Sequence, residues 1–394
     1  MKKYEKQIGV GGLELSNYEK SLVNQVLDSN RLTYGPMSMR FEKEFAALHN
    51  VKHALFMNSG TSALHVALAA LKEKYGWSDG DEVIVPAVTF VATANIVLHN
   101  RMNPVFVDVE YDTYNINPDL IEQEITSKTR AIIPVHLLGL PADMQPIIEI
   151  SKKYGLEIIE DSAECMFAKY EDKPVGSLGT IGCFSTYVAH FLVTGVGGFA
   201  TTNDKEIAVD LRSLMNHGRD GIYISASDDK GLTGKELEEV VSRRFSFIHV
   251  GHSFRCTEME AAIGVGQLKR HKQIVDRRKE IAELFTESLS IYGDELQLPV
   301  CPKNRTHSYM LYGLMMKKKD KSEIVNYLEN LNVETRDLLP LINQPIYKKL
   351  YGDLEKKYPV AKKINKSGFY IGCHSYMSNS EVEFIVQAFD NYFK

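Results

Sequence analysis

Short apolar runs alternate with amphipathic segments through the first half of this chain. EVIVPAV, NPVFVDV, RAIIPVHLL and LEIIED are rich in β-formers, and helical patterns separate them between residues 60 and 160. Strands that alternate with helices in this way are typical of a parallel sheet with crossover helices. The pattern therefore predicts an α/β fold.

The pattern changes near Met259. The segment EMEAAIGVGQLKRHKQIVDRRKEIAELFTESL carries apolar residues at spacings of three and four, which predicts one long helix leading into a smaller domain. We place the boundary so that residues 1–268 form a large domain with an N-terminal arm and residues 269–394 form a small one. Residues 225–240, SASDDKGLTGKELEEV, predict an exposed excursion.

Composition narrows the class of protein. The 394 residues are 44% hydrophobic, which is enough for a large core in two domains. The formal net charge is -5 and the basic runs are interspersed with acids, so we expect no nucleic-acid partner. No apolar stretch approaches about 18 residues, and no apolar run follows MKKYEKQIGVGG, which predicts a cytoplasmic protein with no membrane partner. The five cysteines are widely spaced, so no metal site is predicted.

A candidate anion site lies where one strand passes into a helix. Asn58-Ser59-Gly60-Thr61-Ser62 joins the strand ALFMN to the helix ALHVALAAL. Backbone amides and the positive end of the dipole at a helix start bind phosphate. Serine and threonine are also the usual residues of an ordinary helix cap. Gly60 and Thr61 are therefore phosphate candidates, with a simple cap as the alternative.

Several segments follow one another in an order that resembles a known family. The landmarks include FMNSGTSALHVALAAL, IIEDSAE, FRCTEMEAAIGVGQL and GFYIGCHSYMS. Over nearly the whole chain they resemble the fold-type I pyridoxal-phosphate enzymes, specifically the sugar aminotransferase family named after DegT, DnrJ and StrS. The resemblance implies a mostly parallel seven-stranded sheet flanked by helices and a smaller α+β C-terminal domain. It also implies a pyridoxal 5′-phosphate or pyridoxamine 5′-phosphate cofactor.

The resemblance also implies roles for individual residues. Asp161 would pair with the protonated pyridine nitrogen of the cofactor and keep its ring an electron sink, although a carboxylate at a strand end can also be a solvated cap. The other implied contacts are Gly60, Thr61 and Ser185 at the phosphate, Phe90 on the pyridine face, Glu164 near the phenolic oxygen, and Ser253 reaching the phosphate from a neighbouring subunit. Phe90 would equally suit the core, and the family often has asparagine where this chain has Ser253. A contact that crosses subunits implies a homodimer with shared active sites.

One residue departs from the aminotransferases of the family. At the position of His190 they have a lysine, and this lysine bonds covalently to the cofactor and shuttles protons. Histidine has no primary amine, but its pKa of about 6.5 suits proton transfer at neutral pH better than that of lysine, about 10.4. The related sugar 3-dehydratases, including GDP-4-keto-6-deoxymannose 3-dehydratase, have made the same exchange and use the histidine as catalytic base. The cofactor is therefore predicted to bind noncovalently.

The predicted reaction is a glutamate-dependent 3-dehydration of a nucleotide-linked keto-sugar with His190 as the base. L-glutamate would be the amino donor and the nucleotide sugar the substrate. The dehydratases usually carry a second histidine where this chain has Phe191. Two alternatives stay open: a nucleotide-sugar aminotransferase that uses glutamate, and a catalytically silent cofactor- or sugar-binding paralogue.

Four further residues are candidates for the wall that holds the sugar nucleotide. Guanidinium groups suit paired phosphate oxygens, while surface or structural ion pairs are the commoner use of arginine. The candidates are Tyr34, Arg219, Arg336 and His307.

Overall fold

The computed structural model describes residues 1–220 and 231–394. The strands are β1 (His53–Met57), β2 (Glu82–Pro86), β3 (Asn103–Val107), β4 (Thr129–Ile132), β5 (Glu157–Asp161), β6 (Lys169–Tyr170), β7 (Lys173–Pro174), β8 (Ile181–Ser185), β9 (Gly198–Thr202), β10 (Leu296–Gln297), β11 (Leu311–Met316), β12 (Thr335–Asp337) and β13 (Gly368–Gly372). The α-helices are α1 (Asn17–Ser29), α2 (Pro36–Leu48), α3 (Gly60–Tyr75), α4 (Val91–His99), α5 (Met144–Tyr154), α6 (Lys205–Leu214), α7 (Gly234–Arg243), α8 (Glu258–Lys269), α9 (His271–Leu289), α10 (Ser322–Asn330), α11 (Pro345–Tyr351), α12 (Pro359–Ser367) and α13 (Asn379–Phe393).

Seven strands form the main sheet, in the order β1-β9-β8-β5-β4-β2-β3. The β2–β3, β2–β4, β4–β5 and β5–β8 pairs are parallel, and β9 runs antiparallel to both β1 and β8. These strands are nearly continuous apolar runs because helices cover both faces of the sheet. The predicted α/β fold with a mostly parallel seven-stranded sheet is confirmed.

A second, antiparallel sheet has the order β10-β11-β13-β12. Its core packs against α9, α10 and α13 through residues such as Phe285, Leu328 and Phe389. Ile8 of the N-terminal arm belongs to this core and bridges to Val333. The boundary at residue 268 stays a prediction, and it falls in the last turn of α8.

The one long helix predicted from Met259 is wrong, because the structure divides it into α8 and α9 at Arg270. Arg270 leaves the helical conformation, with φ -112° and ψ 13°. Its guanidinium pairs with Glu19 at 3.0 Å, and the ring of His271 contacts the Leu268 carbonyl at 2.7 Å. The tertiary ion pair of Arg270 and the local contact of His271 accompany the break, and periodicity alone does not reveal them.

Two remaining sequence expectations concern exposure and membranes. Residues 225–230 of the predicted excursion lie outside the described residues, whereas α7 begins at Gly234 and includes the last part of the excursion. Among the helices that the structure describes, none combines the length and apolar character needed to cross a bilayer.

Candidate active site

A cleft of about 410 Å³ opens where β1, β2, β5 and β8 end. In a sheet of this kind, ligands bind at the carboxyl ends of the parallel strands. Leu311 and Tyr370 of the small antiparallel sheet also line the cleft, as does Met310 just before β11. The cleft brings together seven of the predicted site residues, namely Gly60, Thr61, Phe90, Asp161, Glu164, Ser185 and His190.

The start of α3 forms one end of the cleft. Ser59 caps the helix, and its hydroxyl accepts a hydrogen bond from the Ser62 amide at 3.0 Å. Gly60 and Thr61 occupy the first turn, where backbone amides have no acceptor within the helix. A Cβ added to Gly60 would lie 2.8 Å from the Cβ of Ser185. The close approach of α3 to β8 thus requires glycine and leaves a small cradle lined by amides and hydroxyls.

Asp161 is a buried carboxylate at the end of β5. Its Oδ2 accepts a hydrogen bond from the Thr93 hydroxyl at 2.8 Å, and its Oδ1 accepts one from the Ala163 amide at 3.2 Å. Burial raises the pKa of Asp161 in spite of these hydrogen bonds. No lysine or arginine pairs with it within residues 1–220 and 231–394. The carboxylate is therefore suited to a cationic N–H group brought by a ligand.

Glu164 is the second carboxylate of the cleft. Its Oε2 accepts a hydrogen bond from the Leu138 amide at 3.0 Å. Burial raises the pKa of Glu164 to about 7, and the nearby charge of Asp161 acts in the same direction. Glu164 can therefore exchange a proton near neutral pH.

His190 lies in the loop between β8 and β9, with its ring in the cleft wall. Its amide donates to the Tyr187 carbonyl at 2.9 Å, which forms a tight turn. Burial, with a smaller contribution from the charge of Arg278, lowers the pKa of His190 to about 4, and a hydrogen bond to the Ala163 backbone acts in the opposite direction. Nδ1 of the ring has no hydrogen-bond partner in the described part of the chain. At neutral pH the imidazole is therefore an uncharged base.

Two of the aromatic residues that line the cleft are exposed. Phe90 caps α4 and is 58% exposed, so its ring belongs to the cleft wall and not to the core. Tyr187 also lines the cleft and is 53% exposed. Exposed apolar rings beside a cavity are suited to contact with a planar ligand.

Three predicted residues lie away from the cleft of their own chain. The Tyr34 hydroxyl donates to Glu42 at 2.9 Å in a separate pocket. Arg219 stacks over the rings of Phe245 and Phe247, 5.9 Å from each centroid. Ser253 accepts a hydrogen bond from Arg255 at 3.0 Å.

The last two predicted residues, His307 and Arg336, are also absent from the lining of the cleft. His307 is buried and stacked on Tyr309 at 3.8 Å, and burial lowers its pKa to about 3. Arg336 lines an adjoining pocket of about 470 Å³, which shares the walls of Phe90 and Tyr370 with the cleft. All five of these residues stay predictions as substrate or cofactor contacts.

Sequence reasoning missed residues that support the site. Thr93 is one of them, and the signal is its spacing of four from Thr89 in VTFVATAN, which brings the two hydroxyls to 2.8 Å from each other. Tyr187, Tyr370 and Val10 also line the cleft. Val10 and Tyr370 come from opposite ends of the chain, and no local signal relates them to Asp161.

The chain is similar to known proteins over nearly its whole length. A sequence profile described as the DegT/DnrJ/EryC1/StrS aminotransferase family matches residues 14–390. A GDP-perosamine synthase of Escherichia coli O157:H7 is 32% identical over 98% of this chain and 99% of its own. A GDP-4-keto-6-deoxy-D-mannose 3-dehydratase of Yersinia pseudotuberculosis is 29% identical over 90% and 91%. The solved structure of the E. coli GDP-4-keto-6-deoxy-D-mannose-3-dehydratase with bound hydrated PLP has a TM-score of 0.85 and 25% identity, covering 98% of this chain and 100% of that one.

Proposed function

This chain belongs to the DegT/DnrJ/EryC1/StrS aminotransferase family, and on that premise we propose that it catalyses the 3-dehydration of a nucleotide-linked 4-keto-6-deoxy sugar. It is a pyridoxal-phosphate-dependent enzyme of the nucleotide-sugar aminotransferase or 3-dehydratase type. In the proposed reaction L-glutamate supplies the amino group that loads the cofactor, and His190 acts as the base.

A single observation carries the choice of dehydration. His190 lies in the cleft, and no lysine lines the cleft in the described part of the chain. An imidazole cannot bond to the cofactor aldehyde as a primary amine does, so the cofactor would be held by noncovalent contacts alone. The solved 3-dehydratase that resembles this chain has bound hydrated PLP.

The residues of the cleft fit this cofactor. Asp161 offers a buried carboxylate that lacks a cationic partner among the described residues, which suits a protonated pyridine nitrogen. We assign the phosphate to the cradle of Gly60, Thr61 and Ser185, the phenolic oxygen to Glu164, and one ring face to Phe90. When bound, the cofactor supplies an electron sink that stabilises negative charge on the carbon beside its ring.

The residues of the chain divide the remaining work between them. The hydrogen bonds from Thr93 and Ala163 favour the ionised form of Asp161, which would hold a proton on the ring nitrogen. The uncharged imidazole of His190 takes up a proton from the reacting carbon and can protonate the hydroxyl that leaves sugar carbon 3. Proton transfer by a positioned side chain is worth about 10² to 10⁴ in rate.

We also propose a homodimer with shared active sites. Ser253 lies outside the cleft of its own chain, in a segment with the exposed apolar residues Phe245 and Val250. A second subunit that covers this segment would bring Ser253 to the neighbouring phosphate cradle. Sedimentation and a Ser253→Ala variant with weakened cofactor binding would test this arrangement.

The reaction is tested by product analysis. Purified protein is incubated with pyridoxal phosphate, glutamate and a panel of nucleotide-linked 4-keto-6-deoxy sugars, followed by mass spectrometry and assays of ammonia and 2-oxoglutarate. A 3-deoxy-4-keto product with ammonia release supports dehydration. An amino sugar without ammonia release overturns it in favour of aminotransfer. Cofactor binding without turnover, in a panel that an active relative does turn over, favours a catalytically silent binding protein.

Aminotransfer is the second candidate, and two observations favour it. The GDP-perosamine synthase is more similar to this chain than the Yersinia 3-dehydratase, at 32% against 29% identity. Phe191 also stands where the dehydratases usually have a second histidine. In this case His190 would move the proton and the amino group would stay on the sugar.

A further inference from the structure

Arg278 of α9 is buried to 2% exposure, and no carboxylate pairs with it within the described residues. A buried guanidinium without a counter-ion is costly unless other polar groups compensate it. Here carbonyl oxygens do so. One terminal nitrogen donates to the carbonyls of Met310 at 2.6 Å and Cys373 at 3.0 Å, and the other donates to the carbonyl of His190 at 3.0 Å.

These acceptors come from three different parts of the fold. Met310 immediately precedes β11, Cys373 immediately follows β13, and His190 lies in the loop between β8 and β9. The guanidinium also lies over the ring of Phe191, 4.7 Å from its centroid. Arg278 therefore joins the small antiparallel sheet to the segment that carries the proposed base.

Arg278 contacts the backbone of His190 and does not itself line the cleft. His190 lines the cleft, and its carbonyl accepts the hydrogen bond from Arg278. The base of the loop is fixed by Thr186 and Thr194, whose hydroxyls are 2.6 Å apart. In the described chain the bond from Arg278 is the one hydrogen bond that the His190 carbonyl accepts.

We propose that Arg278 is a positioning residue that holds the His190 backbone, and hence the imidazole, in its working orientation. The inference rests on the proposed role of His190 as a base. The charge of Arg278 also opposes protonation of the ring. The other titratable groups that face the same cleft are Asp161, Glu164, Tyr187 and Tyr370.

The test compares three variants of the full-length protein. Arg278→Met removes the charge and the donors, and Arg278→Lys keeps the charge without the planar fork. Arg277→Met is the matched control, because Arg277 is the preceding residue of α9 and bonds to Met377 and Asn379 at the surface. Histidine-selective NMR follows the titration of the His190 ring, whose signal is assigned by its loss in His190→Asn. Steady-state kinetics are measured on the same proteins.

Arg278→Met should raise the pKa of His190 and lower kcat by about 10²-fold with KM unchanged, the scale of a 1 Å misplacement. Arg278→Lys should keep the pKa of His190 but lower kcat, and Arg277→Met should change neither. A folded Arg278→Met with the wild-type titration and kcat overturns the proposal. If Arg278→Met does not fold, a wild-type kcat in Arg278→Lys overturns it. Absence of turnover in the wild type refutes the proposed reaction instead, and the NMR titration then decides on Arg278 alone.

Discussion

The Thr93 hydroxyl donates a 2.8 Å hydrogen bond to Oδ2 of Asp161, from the first turn of α4 to the end of β5. Both side chains are buried. Because Thr93 donates to Asp161, it can accept from the hydroxyl of Thr89, which lies 2.8 Å away at the cleft wall. A hydrogen bond to a carboxylate favours its ionised form. Thr93 thus opposes the effect of burial, which raises the pKa of Asp161.

Thr93→Val should weaken cofactor binding while preserving the shape of the side chain. Hydrogen bonds to charged groups contribute about 1.5–3 kcal/mol, so the dissociation constant for pyridoxal phosphate should rise about 10- to 100-fold. Titration of the cofactor absorbance measures it. Thr93→Ser keeps the hydroxyl and should bind nearly as the wild type does. Equal affinity in the valine variant would exclude a role for Thr93 in keeping Asp161 charged.

His190→Lys should restore a covalent attachment. A lysine in this position presents a primary amine to the cofactor, so borohydride reduction should add the mass of the cofactor to the variant but not to the wild type. Dehydration should fall, by up to the 10² to 10⁴ that a positioned base contributes. His190→Asn, which has neither a base nor an amine, is the control for both measurements. Wild-type dehydration by the lysine variant without the mass increase would remove His190 from the proposed mechanism.

The pH dependence of kcat/KM should report the pKa of His190 in the free enzyme. Burial and the charge of Arg278 lower that pKa to about 4. The neutral imidazole is the active form. Protonation of His190 should therefore leave kcat/KM unaffected near neutral pH and lower it as the pH decreases through about 4. An unperturbed histidine would place this fall near 6.5 instead. Glu164→Gln should keep the fall near 4, because Glu164 titrates separately with a pKa of about 7.

The parts of the site that the sequence predicts well are those set by local order. Gly60 follows a strand and begins a helix, and Asp161 ends an apolar strand, so each reaches the carboxyl edge of the sheet by its place in the α/β repeat. The importance of His190 emerged from a family resemblance, since a histidine in a loop has no periodic signal of its own.

The remaining parts depend on contacts between distant segments. Tyr370 of the small sheet lines the cleft, and Arg278 of α9 contacts the loop that carries His190. The sequence pattern near Asp161 carries no information about either residue. Arg270 interrupts a continuous helical pattern, and its guanidinium pairs with Glu19 near the N-terminus. The position of Ser253 relative to a second cradle requires a second subunit and is not encoded in any local pattern.

Tyr34 leads to a prediction about stability, since it shares its pocket with the ion pair of Glu42 and Arg212. Two 2.7 Å hydrogen bonds join that pair, and Glu42 also accepts from the Phe56 amide and the Tyr34 hydroxyl at 2.8 and 2.9 Å. Both charged side chains are largely buried, with 8% and 13% exposure. Removing one partner of such a pair leaves a buried charge without compensation.

Glu42→Gln should therefore lower the free energy of unfolding by about 3–5 kcal/mol, measured by urea denaturation. The matched control is Glu44→Gln on the same helix. Glu44 pairs with Arg40 at 2.6 Å, but these side chains are 39% and 45% exposed, and an exposed pair of this kind contributes about 0–1 kcal/mol. Glu42→Gln is the more costly substitution only if the Arg212 guanidinium stays buried without its partner. Equal losses of unfolding free energy in the two variants would therefore mean that Arg212 becomes solvated when residue 42 is neutral.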